Sequence, residues 1–296
     1  MTTVRIGTRG SDLALWQAHW VAARLREAHP RLDVETVVVR TRGDTESEAP
    51  FGATWPVGAF VTAVERALLE GRVDLAVHSY KDVPTQETDG LAVAATPVRG
   101  PVHDVLLTRG ALTLEELPPG ARIGTSSPRR AAQMLQAGDF RIVPLRGNVP
   151  TRVATLEREE LDGIVLAAAG LDRLGIRHPF RIDLPVGRFV PAPAQGALAV
   201  QVRTGSPEAA LAAALDDPDT RRAVEAERHL LHVVEAGCHA PVGALAVVDA
   251  NALTLEAQIF SEDLARMVAG SESGSDPAEV ATRLGKRLLA TLEASG

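Results

Sequence analysis

The strongest constraint on the fold is a strand-and-turn grammar that occurs twice. Arg5-Ile6-Gly7-Thr8 is echoed by Arg122-Ile123-Gly124-Thr125, Thr41-Arg42-Gly43-Asp44 by Leu145-Arg146-Gly147-Asn148, and Val73-Asp74-Leu75-Ala76-Val77 by Leu161-Asp162-Gly163-Ile164-Val165. Three echoes in the same order predict two related α/β lobes. In the first lobe Val4 to Gly7 reads as a strand, and after Ser11, a natural N-cap, the apolar residues Leu13, Trp16, Trp20, Val21 and Leu25 recur at helical spacing. Val34 to Val39 is a β-branched strand, Phe60 to Glu70 a helix stopped by Gly71, and Val73 to Val77 a buried strand. The βαβαβ order predicts a parallel sheet with its working loops at the carboxyl ends of the strands.

Beyond the second lobe the pattern changes. After Pro191-Ala192-Pro193 and Gln195-Gly196, the segment Ala197 to Val202 reads as a strand that crosses back to the first lobe. From Asp217 onward a helix over Thr220 to Val234 leads into the loop Glu235-Ala236-Gly237-Cys238. Alternating strands over Val242 to Val248 and Leu253 to Phe260, a third near Ala265 to Ala269, and a closing helix from Pro277 to Leu292 complete an α+β unit with an antiparallel sheet. The expected division is residues 1–97 with 197–214, residues 102–190, and residues 218–296. A stretch without periodicity, from about Glu46 to Gly58, reads as a long loop in the first lobe.

Composition narrows the function. A formal net charge of -7 argues against a nucleic-acid partner, which needs a basic footprint. No apolar run approaches the roughly 18 residues of a membrane span, and MTTVRIGTRG has no charged-then-apolar leader. The expectation is a cytoplasmic, monomeric protein with no membrane partner. A single cysteine excludes an intrachain disulfide and leaves Cys238 as either inert filling or chemistry.

Both lobes place backbone N–H groups of a helix start beside arginine: Arg9 and Ser11 in the first, and Thr125, Ser126, Ser127, Arg129 and Arg130 in the second. Such a helix start with a guanidinium nearby suits a carboxylate or phosphate. The alternative is an ordinary helix cap with the arginines on a solvated face. Two such loops at equivalent places, joined by Arg146 and Arg152 after another strand, favour a multivalent anion. In His78-Ser79-Tyr80-Lys81-Asp82-Val83-Pro84, after an apolar strand, Asp82 is the candidate for stabilising a cationic or N–H-bearing centre, and an exposed Lys81–Asp82 turn is the plain alternative. His229 and His232 lie three apart on a helix with Cys238-His239 following, but the spacing fits no common zinc pattern, so no metal is expected. The tryptophans read as packing residues.

Taken in order, IGTRGSDLALWQA, TRGD, VDLAVHSYKDVPT, IGTSSPRRAAQ, LRGNVPTR, GIVLAAAGLDRLG, PAPAQGAL and EAGCHAPVG resemble the porphobilinogen deaminase family, from Val4 through the closing helix. The resemblance implies three domains, the first two folded like a periplasmic binding protein. It implies a dipyrromethane cofactor joined by a thioether to Cys238, with Asp82 as the catalytic carboxylate that contacts pyrrole N–H groups. Lys81, Asp82, Thr125, Ser127, Arg129, Arg130, Arg146 and Gln195 then fall at cofactor-binding positions, and Arg9, Ser11, Arg152 and Arg173 at substrate-binding positions. The implied activity is that of a hydroxymethylbilane synthase: four porphobilinogen molecules lose ammonia and join stepwise on the tethered primer, and hydrolysis releases the linear tetrapyrrole. Two segments depart from the family. Ala53 to Phe60 stands where members carry a Gly-rich lid resembling KVGGKGLF, and Pro150 replaces the usual glycine after LRGNV, which predicts an altered path towards Arg152.

Overall fold

A computed structural model describes residues 3–39, 61–235 and 241–294. The chain forms two compact units, residues 1–100 with 196–221 and residues 101–195 with 222–296.

The first unit opens with β1 (Thr3–Thr8), α1 (Asp12–Ala28) and β2 (Asp33–Val38), followed by α2 (Thr62–Leu69), β3 (Leu75–Ser79) and β4 (Leu91–Ala95). Ser11 caps α1 through its side chain, and α2 ends before Gly71, whose φ of 69° lies in the left-handed region that favours glycine. The second unit begins with β5 (Asp104–Thr108), β6 (Ala121–Gly124), α3 (Pro128–Ala137), β7 (Phe140–Val143), α4 (Val149–Arg158), β8 (Gly163–Ala167), α5 (Ala168–Arg173) and β9 (Arg181–Asp183). The chain then returns to the first unit with β10 (Leu198–Arg203) and α6 (Glu208–Ala212). It finishes in the second with α7 (Pro218–Glu235), whose first residues belong to the first unit, then β11 (Val242–Asp249), β12 (Ala252–Phe260), β13 (Met267–Gly274) and α8 (Pro277–Ala294).

The two five-stranded sheets have one topology. The order is β2-β1-β3-β10-β4 in the first and β7-β6-β8-β5-β9 in the second. In each, the echoed strands pair in parallel, Ile6 opposite Leu75 and Ile123 opposite Gly163, which supports the duplication read from the sequence. The sheets are mixed rather than parallel, however: β10 runs antiparallel to β3 and β4, and β5 antiparallel to β8 and β9. In both sheets the reversed strand follows a crossing of the chain from one unit to the other. Strands β4, β5 and β9 were not anticipated. Leu91–Ala95 is alanine-rich and weak in β propensity, and it becomes a strand because β10 supplies a partner. Strand β3 also begins two residues later than its apolar run, because the Asp74 carboxylate accepts the Arg5 backbone N–H at 2.9 Å and its guanidinium at 2.8 Å.

The C-terminal part is the antiparallel sheet β11-β12-β13. The buried face of that sheet, including Ala244, Leu255 and Ile259, packs with Leu230 of α7 and Leu284 and Leu288 of α8. The Glu227 carboxylate, fully buried on α7, accepts the backbone N–H groups of Ala194 at 2.6 Å and Ala246 at 2.8 Å, tying this helix to the return segment and to β11. No helix among the described residues is long and apolar enough to cross a membrane.

Two predictions follow from packing and burial. A Cβ on Gly243 would stand 2.6 Å from the Val190 carbonyl oxygen, a backbone atom that cannot swing aside. Gly243→Ala is therefore expected to destabilise the second unit by about 1–3 kcal/mol through overpacking, read as a lower urea midpoint at unchanged slope. His78 is buried on β3, and desolvation, aided by the charge of Arg9 and opposed by a hydrogen bond with Gln201, pushes its pKa down to about 4. A depressed pKa means the unfolded chain binds a proton in mildly acid solution that the folded chain refuses. The stabilisation is full above about pH 6.5 and is lost progressively towards about pH 4. Between about pH 7 and pH 5 the loss should be about 2 kcal/mol, and in His78→Asn that part of the pH dependence should vanish from equilibrium unfolding curves.

Candidate active site

In the first unit the candidate residues gather at the carboxyl edge of the sheet. Strands β1 and β3 are parallel neighbours, so the loop Arg9–Ser11 after β1 and the turn after β3 open on the same side. That turn is a single 3₁₀ turn, Tyr80–Asp82. It is fixed from three directions. Gln17, buried on α1, donates from Nε2 to Ser79 Oγ at 2.8 Å, Tyr80 N–H donates to the Ala197 carbonyl at 3.0 Å, and Val83 N–H closes the turn on Tyr80 at 3.1 Å. Lys81 and Asp82 are exposed at its tip, on a base that cannot pivot freely. Arg9 is half-buried, and Ser11 is occupied in capping α1, accepting Ala14 N–H at 3.4 Å.

In the second unit, Ser127 accepts the Arg130 N–H and caps α3, with Pro128 in the first turn, where a missing N–H leaves no helical bond unmade. Thr125 is buried and its Oγ1 accepts Ser127 N–H at 3.1 Å, while Ser126 exchanges hydrogen bonds with the backbone of Leu145, both at 2.9 Å. Three successive residues are thus committed to shaping the loop.

Arg129 and Arg130 do not lie on a solvated face. They are 5% and 7% exposed, and one carboxylate, Asp104 at the head of β5, lies between them: Arg129 Nη2 donates to Oδ2 and Arg130 Nη2 to Oδ1, each at 2.7 Å. Arg129 spends both hydrogens of Nη1 on Gln133 Oε1 at 2.7 Å and the Val190 carbonyl at 2.9 Å. Gln133 in turn donates to Gln258 of β12 at 2.8 Å, so Arg129 belongs to the seam between α3 and the C-terminal sheet. Arg130 donates from Nη1 to the Val165 carbonyl at 3.2 Å, and its Nε, buried, has no hydrogen-bond partner. Gln195, fully buried, donates to Asp104 Oδ1 at 2.9 Å and to the Val102 carbonyl at 2.7 Å. Burial alone would raise the pKa of Asp104, but the guanidiniums of Arg130 and Arg129 more than reverse this and hold it far below the usual carboxylate range. Burial lowers the pKa of Arg129, and Asp104 offsets part of that shift. Two guanidiniums against one carboxylate leave a buried excess of one positive charge, and an unmet N–H at this depth costs about 1–3 kcal/mol. Both features fit a carboxylate-bearing ligand.

The remaining candidates occupy the same edge of the second sheet. Asn148 caps α4, accepting Thr151 N–H at 2.9 Å, and Arg152 Nε donates to the Gly147 carbonyl at 2.8 Å. Pro150 lies in the first turn of α4, where the N–H it lacks would have had no intrahelical partner, so the path to Arg152 is not diverted. Arg146 is exposed. Arg173, partly buried at the end of α5, has its pKa pushed down to about 10 by desolvation. His229 Nε2 is hydrogen-bonded to Thr282 Oγ1 of α8 at 3.0 Å. Cys238 and the lid segment Ala53 to Phe60 lie outside the described residues. Asp104, Gln133 and Glu227 escaped the sequence reading. The one available signal was an acidic residue heading the otherwise apolar run Val105-Leu106-Leu107.

The family description "Porphobilinogen deaminase, dipyromethane cofactor binding domain" matches residues 4–210, and "Porphobilinogen deaminase, C-terminal domain" matches residues 221–294. A porphobilinogen deaminase of Moorella thermoacetica is 43% identical over 294 residues, covering 98% of this chain and 94% of that protein. One of Mycolicibacterium paratuberculosis is 48% identical over 276 residues, covering 92% and 86%. Among solved structures, the methionine binding protein MetQ aligns over 74% of this chain and 92% of its own, with 13% identity and a TM-score of 0.46. With matches to both domains and relatives of this identity over nearly its full length, the chain belongs to the porphobilinogen deaminase family.

Proposed function

We propose that this chain runs the family reaction with Asp82 as its catalytic carboxylate and Cys238 as the attachment point of the dipyrromethane cofactor, the C-terminal residues 218–296 forming the attachment domain. It is a transferase of tetrapyrrole biosynthesis, a hydroxymethylbilane synthase acting on porphobilinogen. The observation that carries the assignment of residues is the contrast between the two aspartates. Asp82 is exposed on a turn braced by Gln17 and Ala197, whereas Asp104 is buried and neutralised by arginines. Only the former can approach a reacting centre.

The cofactor supplies the primer to which each new pyrrole is joined. Around it the chain's own residues have separable tasks. Asp82 accepts pyrrole N–H groups and stabilises the positive charge that develops as ammonia leaves, a role for which a preorganised, braced carboxylate is suited. Lys81, Thr125, Ser127, Arg129, Arg130, Arg146 and Gln195 hold or shape the cofactor's surroundings, and Arg9, Ser11, Arg152 and Arg173 receive the acetate and propionate arms of the incoming substrate. Guanidiniums suit this work because their fork matches a carboxylate in two places. An acidic protein can thereby hold a polyanionic ligand through a local set of arginines, whatever its net charge. The reading includes a cytoplasmic monomer with no nucleic-acid partner.

Intact mass measurement tests the attachment. Purified wild type should carry the increment of two linked pyrrole units and Cys238→Ser should not; a bare wild-type mass that stays unchanged after incubation with porphobilinogen would sink the proposal. Asp82→Asn should keep the increment when loaded with cofactor yet lower kcat by about 10²-fold or more, with a much smaller change in KM. Loss of both parameters in proportion to unfolded protein would instead assign Asp82 to the fold.

A further inference from the structure

Between the two buried arginines of α3 lies one carboxylate, that of Asp104. Asp104 touches the outer nitrogens of both guanidiniums at 2.7 Å and is itself held by Gln195 Nε2 at 2.9 Å, with 1% of its side chain exposed. Both of its oxygens are thus taken up by protein donors, and its charge would repel a carboxylate ligand. The partners of the two arginines differ. Arg129 has an acceptor for each Nη1 hydrogen and one for Nη2, all from the protein. Arg130 is held by Nη2 on Asp104 and by Nη1 on Val165, and its buried Nε has no partner. Nη2 also reaches Gln195 Oε1 at 3.5 Å, so the orientation of Arg130 is set through its two terminal nitrogens and Nε–H is left unbonded.

We propose that Asp104 is a positioning residue for the reaction: it holds Arg130 by the outer edge of the guanidinium so that Nε–H faces a carboxylate arm of the pyrrole ligand. The inference rests on the porphobilinogen deaminase reading and adds a residue which that reading does not contain. It makes a directional claim. If Asp104 were only a competing negative charge, removing it would strengthen the attraction between the arginines and a carboxylated ligand. If it positions Arg130, removing it lets the guanidinium turn and weakens binding in spite of the added positive charge.

The test is a double-mutant cycle on loaded enzyme between Asp104→Asn and Arg130→Lys, the latter keeping the charge but losing both the fork and Nε–H. Three quantities are read for each variant: the fraction carrying the two-pyrrole mass increment, the thermal midpoint, and kcat and KM for porphobilinogen. Asp104→Asn is expected to raise KM about tenfold or more in the wild-type background and less than twofold in the Arg130→Lys background, with a reduced fraction carrying the increment. Asp104→Glu, which restores the charge, should recover part of the KM. If Asp104→Asn does not fold, Asp104→Glu takes its place in the cycle, with a smaller rise in KM that again disappears in Arg130→Lys. An unchanged or lower KM, or a KM effect of equal size in both backgrounds, overturns the proposal. Failure of the wild type itself to consume porphobilinogen would instead reject the functional reading beneath it.

Discussion

A single buried carboxylate organises the second unit. Asp104 heads the reversed strand β5, receives both arginines of α3, and is bonded by Gln195 from the segment that leaves the unit. The entering strand, the site helix and the exit are thus tied at one point. Breaking a buried pair by removing one partner typically costs about 3–5 kcal/mol, because the other charge is left in a medium that solvates it poorly. The same point reaches the C-terminal sheet, since Arg129 and Gln133 both donate to the Val190 carbonyl, and β11 packs so closely there that Gly243 has no room for a Cβ. Arrangement of charge and packing density are one problem at this seam.

The first unit solves a different problem with related parts. The turn after β3 carries an exposed carboxylate, Asp82, which gains no positional restraint from burial. The restraint comes from beneath, through Gln17 on Ser79 and the backbone bond from Tyr80 to Ala197. The latter bond ties the turn to the start of the return strand β10, so the loop that carries Lys81 and Asp82 depends on a segment more than a hundred residues away in the chain. The two aspartates sit in opposite environments, Asp82 exposed on its turn and Asp104 buried between two guanidiniums.

Much of the site was legible because its residues sit in turns whose sequence is dictated locally. Ser11 and Ser127 could be read as caps because capping chemistry acts over three residues, and Gly71 could be read as a stop because glycine is the residue that takes a left-handed backbone most readily. The duplicated lobes were visible through periodicity and turn signatures. Pro150 misled because the residue was judged by its missing N–H without knowing that it would fall in the first turn of a helix. Asp104 and Glu227 were missed because a lone acidic residue beside apolar neighbours carries no period, and the partners that make its burial tolerable lie 25 and 26 residues away for Asp104 and 33 and 19 for Glu227.

The sequence by itself determined the two α/β lobes with their antiparallel companion, the helix starts after Ser11 and Ser127, and the family to which the motifs belong, since each of these rests on short-range pattern. Tertiary structure alone decided that the sheets are mixed, because the direction of β5 and β10 is set by pairing with strands far away in the chain. It also decided which arginines face water and which are buried, because a guanidinium enters a low-dielectric interior only where a carboxylate and carbonyl oxygens converge from distant parts of the chain.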